Sequence, residues 1–205
     1  MYKILVFGDS IIFGKGDDGN NGWVGRLKKE LESENDSNAV FNLGISGNST
    51  KDLLKRIEVE CEARIKNKPE HKYVIIIGVG ANDSKKTEGV DVTTFDEFTE
   101  NIKKICETAR KFTKNVIFMG LMPFDERFTH PYKTSVFTIE KVKKYNDFIM
   151  GYCKDNKIFF IDMFEHFIKT DYKKLFYDGI HPNTEGYDLM YERIKKILIP
   201  YLNKD

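Results

Sequence analysis

Five short apolar runs punctuate the chain, at residues 4–7, 40–43, 73–77, 116–119 and 158–161. Each is continuous rather than alternating, the pattern of strands covered on both faces in a parallel sheet. Between the runs, apolar positions recur at spacings of three and four, as on one face of a helix. Trp23, Val24, Leu27 and Leu31 form one such stripe, and Leu53, Leu54, Ile57 and Cys61 a second. Phe95, Phe98, Ile102, Ile105 and Ala109 form a third. Val142, Tyr145, Ile149 and Cys153 follow, and then Tyr187, Met190, Ile194, Ile197 and Leu198. Start signals agree with this phase: Ser49-x-x-Asp52 and Thr93-x-x-Asp96 read as capping boxes, and Asn183 after Pro182 as a cap for the last helix. Strands alternating with helices predict an α/β fold, a doubly wound three-layer α/β/α sandwich.

Composition narrows the classes without changing that picture. A chain of 205 residues fits a single domain, residues 1–205, large enough to bury its own core. Its 33 basic and 32 acidic side chains leave a net charge of +1, which gives no electrostatic case for a nucleic-acid partner. The apolar run at residues 4–7 is too short for a signal-peptide core or a membrane span, so the expectation is a cytoplasmic protein without stable membrane association. Cys61, Cys106 and Cys153 lie far apart in helical patterns, with no metal or redox spacing, and read as packed thiols. The expectation is therefore no metal and no cofactor. Oligomeric state has no signature in the sequence.

In doubly wound sheets, ligands bind beyond the carboxyl ends of the strands. Polar clusters fall there: Gly8-Asp9-Ser10 after the first strand, Asn42 to Asn48 after the second, Gly80-Ala81-Asn82-Asp83 after the third. A fourth cluster, Asp178-Gly179-Ile180-His181-Pro182, precedes the last helix. A carboxylate three residues before a histidine, on a bend opened by glycine, can fix the imidazole tautomer and leave its other nitrogen as a base. An ordinary loop histidine fits the same letters. Ser10, held at a strand end, suits a nucleophile activated by that base or, equally, a helix N-cap. Acyl transfer also needs donors for the developing oxyanion. The Gly44 N–H, the Asn82 amide and the Ser10 N–H could serve; turn geometry and an Asx bond are the alternatives for Gly44 and Asn82. Asp9 is read as stabilising the turn that presents Ser10.

Taken together, Gly8-Asp9-Ser10-Ile11, Asn42-x-Gly44-x-x-Gly47, Gly80-x-Asn82-Asp83 and Asp178-x-x-His181-Pro182 resemble the four blocks of the SGNH hydrolases, the GDSL lipase/esterase superfamily. The blocks span residues 8 to 182. The resemblance implies a flavodoxin-like five-stranded parallel sheet and a serine hydrolase of small-molecule carboxylic esters: short acyl or acetyl esters, lysophospholipids or thioesters. It implies Ser10 as nucleophile, His181 as base, Asp178 as its orienter, and Ser10, Gly44 and Asn82 as oxyanion donors. Ile11 stands where the family usually has leucine, a volume-conserving exchange.

Two other classes compete. A phosphate-binding loop needs four residues between its glycines and then Lys-Ser/Thr, whereas five separate Gly8 from Gly14 and Gly16 follows Lys15. A catalytically silent binding module on the same fold would have no use for the full set of competent residues. Phe13, Trp23, Ile45, Phe124, Phe128 and Tyr177 flank the blocks as candidates for an acyl or ring pocket, with core packing the alternative for each. Residues 121–135, the longest irregular stretch, are the one segment long enough for a lid.

Overall fold

Side chains alternate across a strand, so a continuous apolar run serves two layers at once. In β1 (Tyr2–Gly8), Ile4 and Val6 join one buried cluster, while Leu5 and Phe7 join the other. The computed structural model describes residues 1–19 and 21–203. After β1 come α1 (Ser10–Phe13), α2 (Gly22–Glu34) and β2 (Ala39–Gly44), then α3 (Thr50–Leu54), α4 (Ile57–Arg64) and β3 (Lys72–Gly78). Two short strands, β4 (Lys86–Thr87) and β5 (Val90–Asp91), precede α5 (Phe95–Phe112) and β6 (Val116–Met119). Then follow α6 (Glu126–Thr129), β7 (Ser135–Val136), α7 (Ile139–Asp155), β8 (Phe159–Ile161) and α8 (Phe164–Ile168). A 3₁₀ turn (Tyr172–Leu175) leads to α9 (Thr184–Leu202).

The main sheet has the order β2-β1-β3-β6-β8, every pairing parallel. Renumbered within that sheet, the order is the flavodoxin-like 2-1-3-4-5. Trp23, Val24, Leu27 and Leu31 of α2 and Tyr187, Met190, Ile194 and Leu198 of α9 pack on one face. Leu53, Ile57 and Cys61 of α3 and α4, with the buried stripes of α5 and α7, cover the other. All five predicted strands form, and the sandwich is as expected.

Three local differences have physical causes. The second stripe forms two helices rather than one, because Arg56 at φ −128° leaves the helical region. Its guanidinium instead reaches the Gly8 carbonyl at 3.0 Å and Asn48 Oδ1 at 2.9 Å. The capping box of α5 is Thr94 with Glu97, one residue later than read, since Thr93 is buried with its hydroxyl on Asp83. Ser49–Asp52 and Asn183 cap α3 and α9 as expected. Finally, β5-β4-β7 make a small antiparallel sheet that the sequence did not announce. Cys61, Cys106 and Cys153 are buried free thiols. Among the described residues, no helix is long and apolar enough to cross a membrane.

Candidate active site

The main sheet reverses its direction of winding between β1 and β3, and a cleft of about 220 Å³ opens there at the carboxyl edge. β1 delivers Asp9 and Ser10 to it. Asp9, not Ser10, caps α1: its Oδ1 accepts from the Ile11 N–H at 2.9 Å. Burial pushes the Asp9 carboxyl up to about 7, against that hydrogen bond and with the Asp83 charge adding to the rise. With the cap supplied by its neighbour, the Ser10 hydroxyl is left to point at His181, and Oγ lies 2.8 Å from Nε2.

The turn carrying His181 is built by Asp178. Its Oδ1 accepts from the backbone N–H groups of Ile180 at 3.1 Å and His181 at 2.9 Å, an Asx-type turn closed by Tyr177 N–H to the His181 carbonyl at 2.7 Å. Gly179 sits at φ +85°, and a Cβ there would lie 2.8 Å from Phe128 Cβ, so the bend requires glycine. The imidazole Nδ1 lies 2.9 and 2.8 Å from the two Asp178 oxygens. Burial alone would raise the Asp178 carboxyl. The hydrogen bonds from the His181 ring, its N–H and the Ile180 N–H outweigh burial and hold it well below the usual carboxylate range. A serine hydroxyl, an imidazole and a carboxylate thus form one hydrogen-bonded chain, within reach for proton transfer.

A fourth group joins this chain. Tyr132, from the segment after β6, donates its hydroxyl to Asp178 Oδ2 at 2.9 Å and lines the cleft. Only its place in the long segment of residues 121–135 hinted at it in the sequence.

The oxyanion candidates separate. Asn82 lines the cleft, and its Nδ2 donates to the Asn48 carbonyl at 3.1 Å, which fixes the amide plane and leaves its second proton available. Asp83 anchors that loop, accepting from the Thr50 hydroxyl and N–H at the start of α3. Gly44 is corrected. Its N–H donates to Asn42 Oδ1 at 3.0 Å, and its Cα faces α1 so closely that a Cβ would stand 2.2 Å from Phe13 N. Its role is to let β2 pass α1. Gly47, three residues on, lines the cleft beside Ser10 and Asn82.

The aromatic candidates are corrected as well. Trp23 is fully buried between α2 and the sheet, and Phe124 is buried edge-to-face on Phe137, with ring centroids 5.2 Å apart. Phe13, Ile45, Phe128 and Tyr177 are exposed, and none of the six lines the cleft. The far wall instead comes from Lys85 and the stretch Tyr132–Phe137. Hydrogen bonds tie residues 121–135 to neighbouring segments. The Asp125 N–H bonds the Gly179 carbonyl at 2.9 Å, the Glu88 N–H bonds the Thr134 carbonyl at 3.1 Å, and β7 pairs with β4.

A doubly wound parallel sheet with this polar cleft at its switch point defines a class, and the family comparison agrees with it. The chain belongs to the GDSL-like lipase/acylhydrolase family, whose model matches residues 6–189, and is a hydrolase of esters. Among its relatives, the GDSL esterase/lipase CPRD49 of Arabidopsis thaliana is 27% identical over 213 residues, covering 96% of this chain and 78% of the relative. The lipase/acylhydrolase of Enterococcus faecalis superposes with a TM-score of 0.77 at 24% identity, covering 98% of this chain and 97% of that one. A catalytic mutant of an acetylxylan esterase from Geobacillus stearothermophilus superposes with a TM-score of 0.72 at 21% identity, covering 95% and 92%.

Proposed function

We propose that this chain is a serine esterase of short acyl esters, acetyl foremost, working through an acyl-enzyme on Ser10. The observation that carries the reading is the 2.8 Å contact of Ser10 Oγ with a His181 ring held by Asp178. As Oγ attacks the ester carbonyl carbon, its proton passes to Nε2, and Asp178 stabilises the imidazolium that forms. The oxyanion is received by the Ser10 N–H, which at the first position of α1 has no partner within the helix, and by the Asn82 amide. The Gly47 N–H is the third donor, from the cleft wall beside Ser10 and Asn82. Collapse breaks the ester bond, with His181 returning the proton to the departing alkoxide. Water, deprotonated by His181, then attacks the acyl-serine; the acyl–Oγ bond breaks, His181 returns the proton to Ser10 Oγ, and the acid is released.

A cleft of about 220 Å³ suits a short acyl group, since drug-sized ligands occupy roughly 300–1,000 Å³. The Geobacillus structural neighbour, an acetylxylan esterase, supports the acetyl end of that range. Hydrolysis of para-nitrophenyl esters of rising chain length tests the reading: kcat/KM should peak at acetate to butyrate and fall with each further extension. A peak at long chains would refute the short-acyl assignment, and no turnover of any member would refute the esterase.

Tyr132 acts in this scheme as a positioning residue. Its hydroxyl draws charge from the Asp178 carboxylate and fixes the carboxylate's tilt. Tyr132→Phe should lower kcat/KM about tenfold, the worth of one hydrogen bond to a charged group. It should also move the acidic limb of the kcat/KM profile to higher pH, because the freed carboxylate holds the imidazolium more tightly. An unshifted profile would reduce Tyr132 to packing.

A further inference from the structure

Lys15, Lys85 and Lys133 line the cleft around Ser10, and among the described residues no aspartate or glutamate does. They arrive from three separate segments: the stretch after α1, the loop after β3 and the tip before β7. Among the described residues none of the three enters an ion pair, whereas Lys28, Lys55 and Lys103 each sit on a carboxylate. Lys85 is placed rather than splayed. It is half-buried, with Nζ 5.8 Å from the Phe137 ring centroid and 3.5 Å from Asn82 Oδ1. Lys133 lies with Nζ 5.8 Å from the Tyr132 ring centroid. The nearby acids lie behind the cleft on other partners, Asp83 on Thr50 and Asp178 on His181. Asp9 is buried, and with its carboxyl pushed up to about 7 it is only partly ionised at neutral pH. Asp178 sits behind His181 and does not line the cleft. The net charge of the chain is +1, so these three lysines are a local excess and not part of a strongly basic chain. A cleft lined by one sign of charge concentrates ligands of the other and rejects its own.

We propose that the ester hydrolysed here carries an anionic group, a carboxylate or a phosphate, close to the scissile bond. The inference rests on the serine-esterase reading of Ser10 and adds the charge class of its substrate.

The test compares para-acetoxybenzoate and para-acetoxyphenyl phosphate with the neutral methyl para-acetoxybenzoate and the cationic para-acetoxyphenyl-trimethylammonium. Each rate is normalised to hydroxide hydrolysis so that leaving-group differences cancel. At low ionic strength at least one anionic acetate should exceed the neutral one in kcat/KM by about tenfold, with the cationic acetate below both. The two anionic arms identify which anion is preferred. The ratio should shrink towards one near 1 M salt, where the screening length is about 3 Å. It should also collapse when Lys15, Lys85 and Lys133 are all changed to Gln and persist when all three are changed to Arg, with thermal melting confirming the fold. An anionic-to-neutral ratio at or below one in the unaltered chain would overturn the charge assignment while leaving the esterase standing. So would a ratio that survives the triple Gln change. Absence of hydrolysis of all four acetates would overturn both.

Discussion

Ser10→Ala is expected to reduce kcat on a short acyl ester by about 10⁶-fold, leaving only what binding and oxyanion donors provide. The reason is local. Ser10 Oγ lies 2.8 Å from His181 Nε2 in the cleft, and in the proposed mechanism no acyl-enzyme forms without it. The substitution should leave the fold in place. Ser10 is the first residue of α1, where alanine is a good helix former, and the cap that starts the helix belongs to Asp9. The stability cost is one lost hydrogen bond, about 1 kcal/mol. Melting temperature and far-UV circular dichroism close to those of the unaltered chain, beside lost turnover, are the expected pair of results. A variant retaining a tenth of the activity would place the nucleophile elsewhere.

Asp178→Asn is expected to cost about 10⁴-fold in kcat, the scale on which a misdirected imidazole tautomer acts. The carboxylate accepts from Nδ1 through both oxygens and from two backbone N–H groups. An amide has the same shape, but its NH₂ can donate to Nδ1. The imidazole proton then moves to Nε2, facing Ser10 with a donor where an acceptor is needed. The change also has a signature in stability. The Asp178 carboxyl is held below its unfolded value by the His181 and Ile180 hydrogen bonds, so its contribution is present above about pH 4. In the unaltered chain that contribution is lost as pH falls towards the depressed folded value. The Asn variant should lack this component of acid destabilisation, seen as a flatter melting temperature between pH 5 and the acid range. A drop in kcat of less than tenfold would remove Asp178 from the role of orienter.

The layers of the fold were legible because burial on both faces leaves unbroken apolar runs, and each of the five runs became a strand of the main sheet. The two-residue strands β4, β5 and β7 were not, because so short a ladder needs no hydrophobic pattern and is set by the loops it ties together. The four polar blocks located the cleft, and the chain does bring Ser10, Asn82, Asp178 and His181 to one edge. Within the second block the letters could not separate Gly44 from Gly47. One ends β2 and the other follows it by three residues, and only the hydrogen bond from Gly44 to Asn42 and the close approach of α1 show which one is occupied. The aromatic pocket failed for a related reason. Proximity in sequence to a block says nothing about direction, so Trp23 and Phe124 point into the core while Tyr177 points to solvent. Tyr132 lies 46 residues before Asp178 in the chain, and no spacing rule connects them. Of the two readings of Ser10, the cap falls to its neighbour Asp9, which leaves the Ser10 hydroxyl to meet His181.

An activated Ser10 nucleophile is the group that a fluorophosphonate marks. The most direct measurement is intact-mass and peptide mapping after brief exposure of the folded chain to a fluorophosphonate. One adduct on Ser10 is predicted, absent in Ser10→Ala, strongly slowed in Asp178→Asn and lost on prior denaturation. A folded chain that hydrolyses acetyl esters yet takes no label on Ser10, or takes it on another residue, would contradict the account.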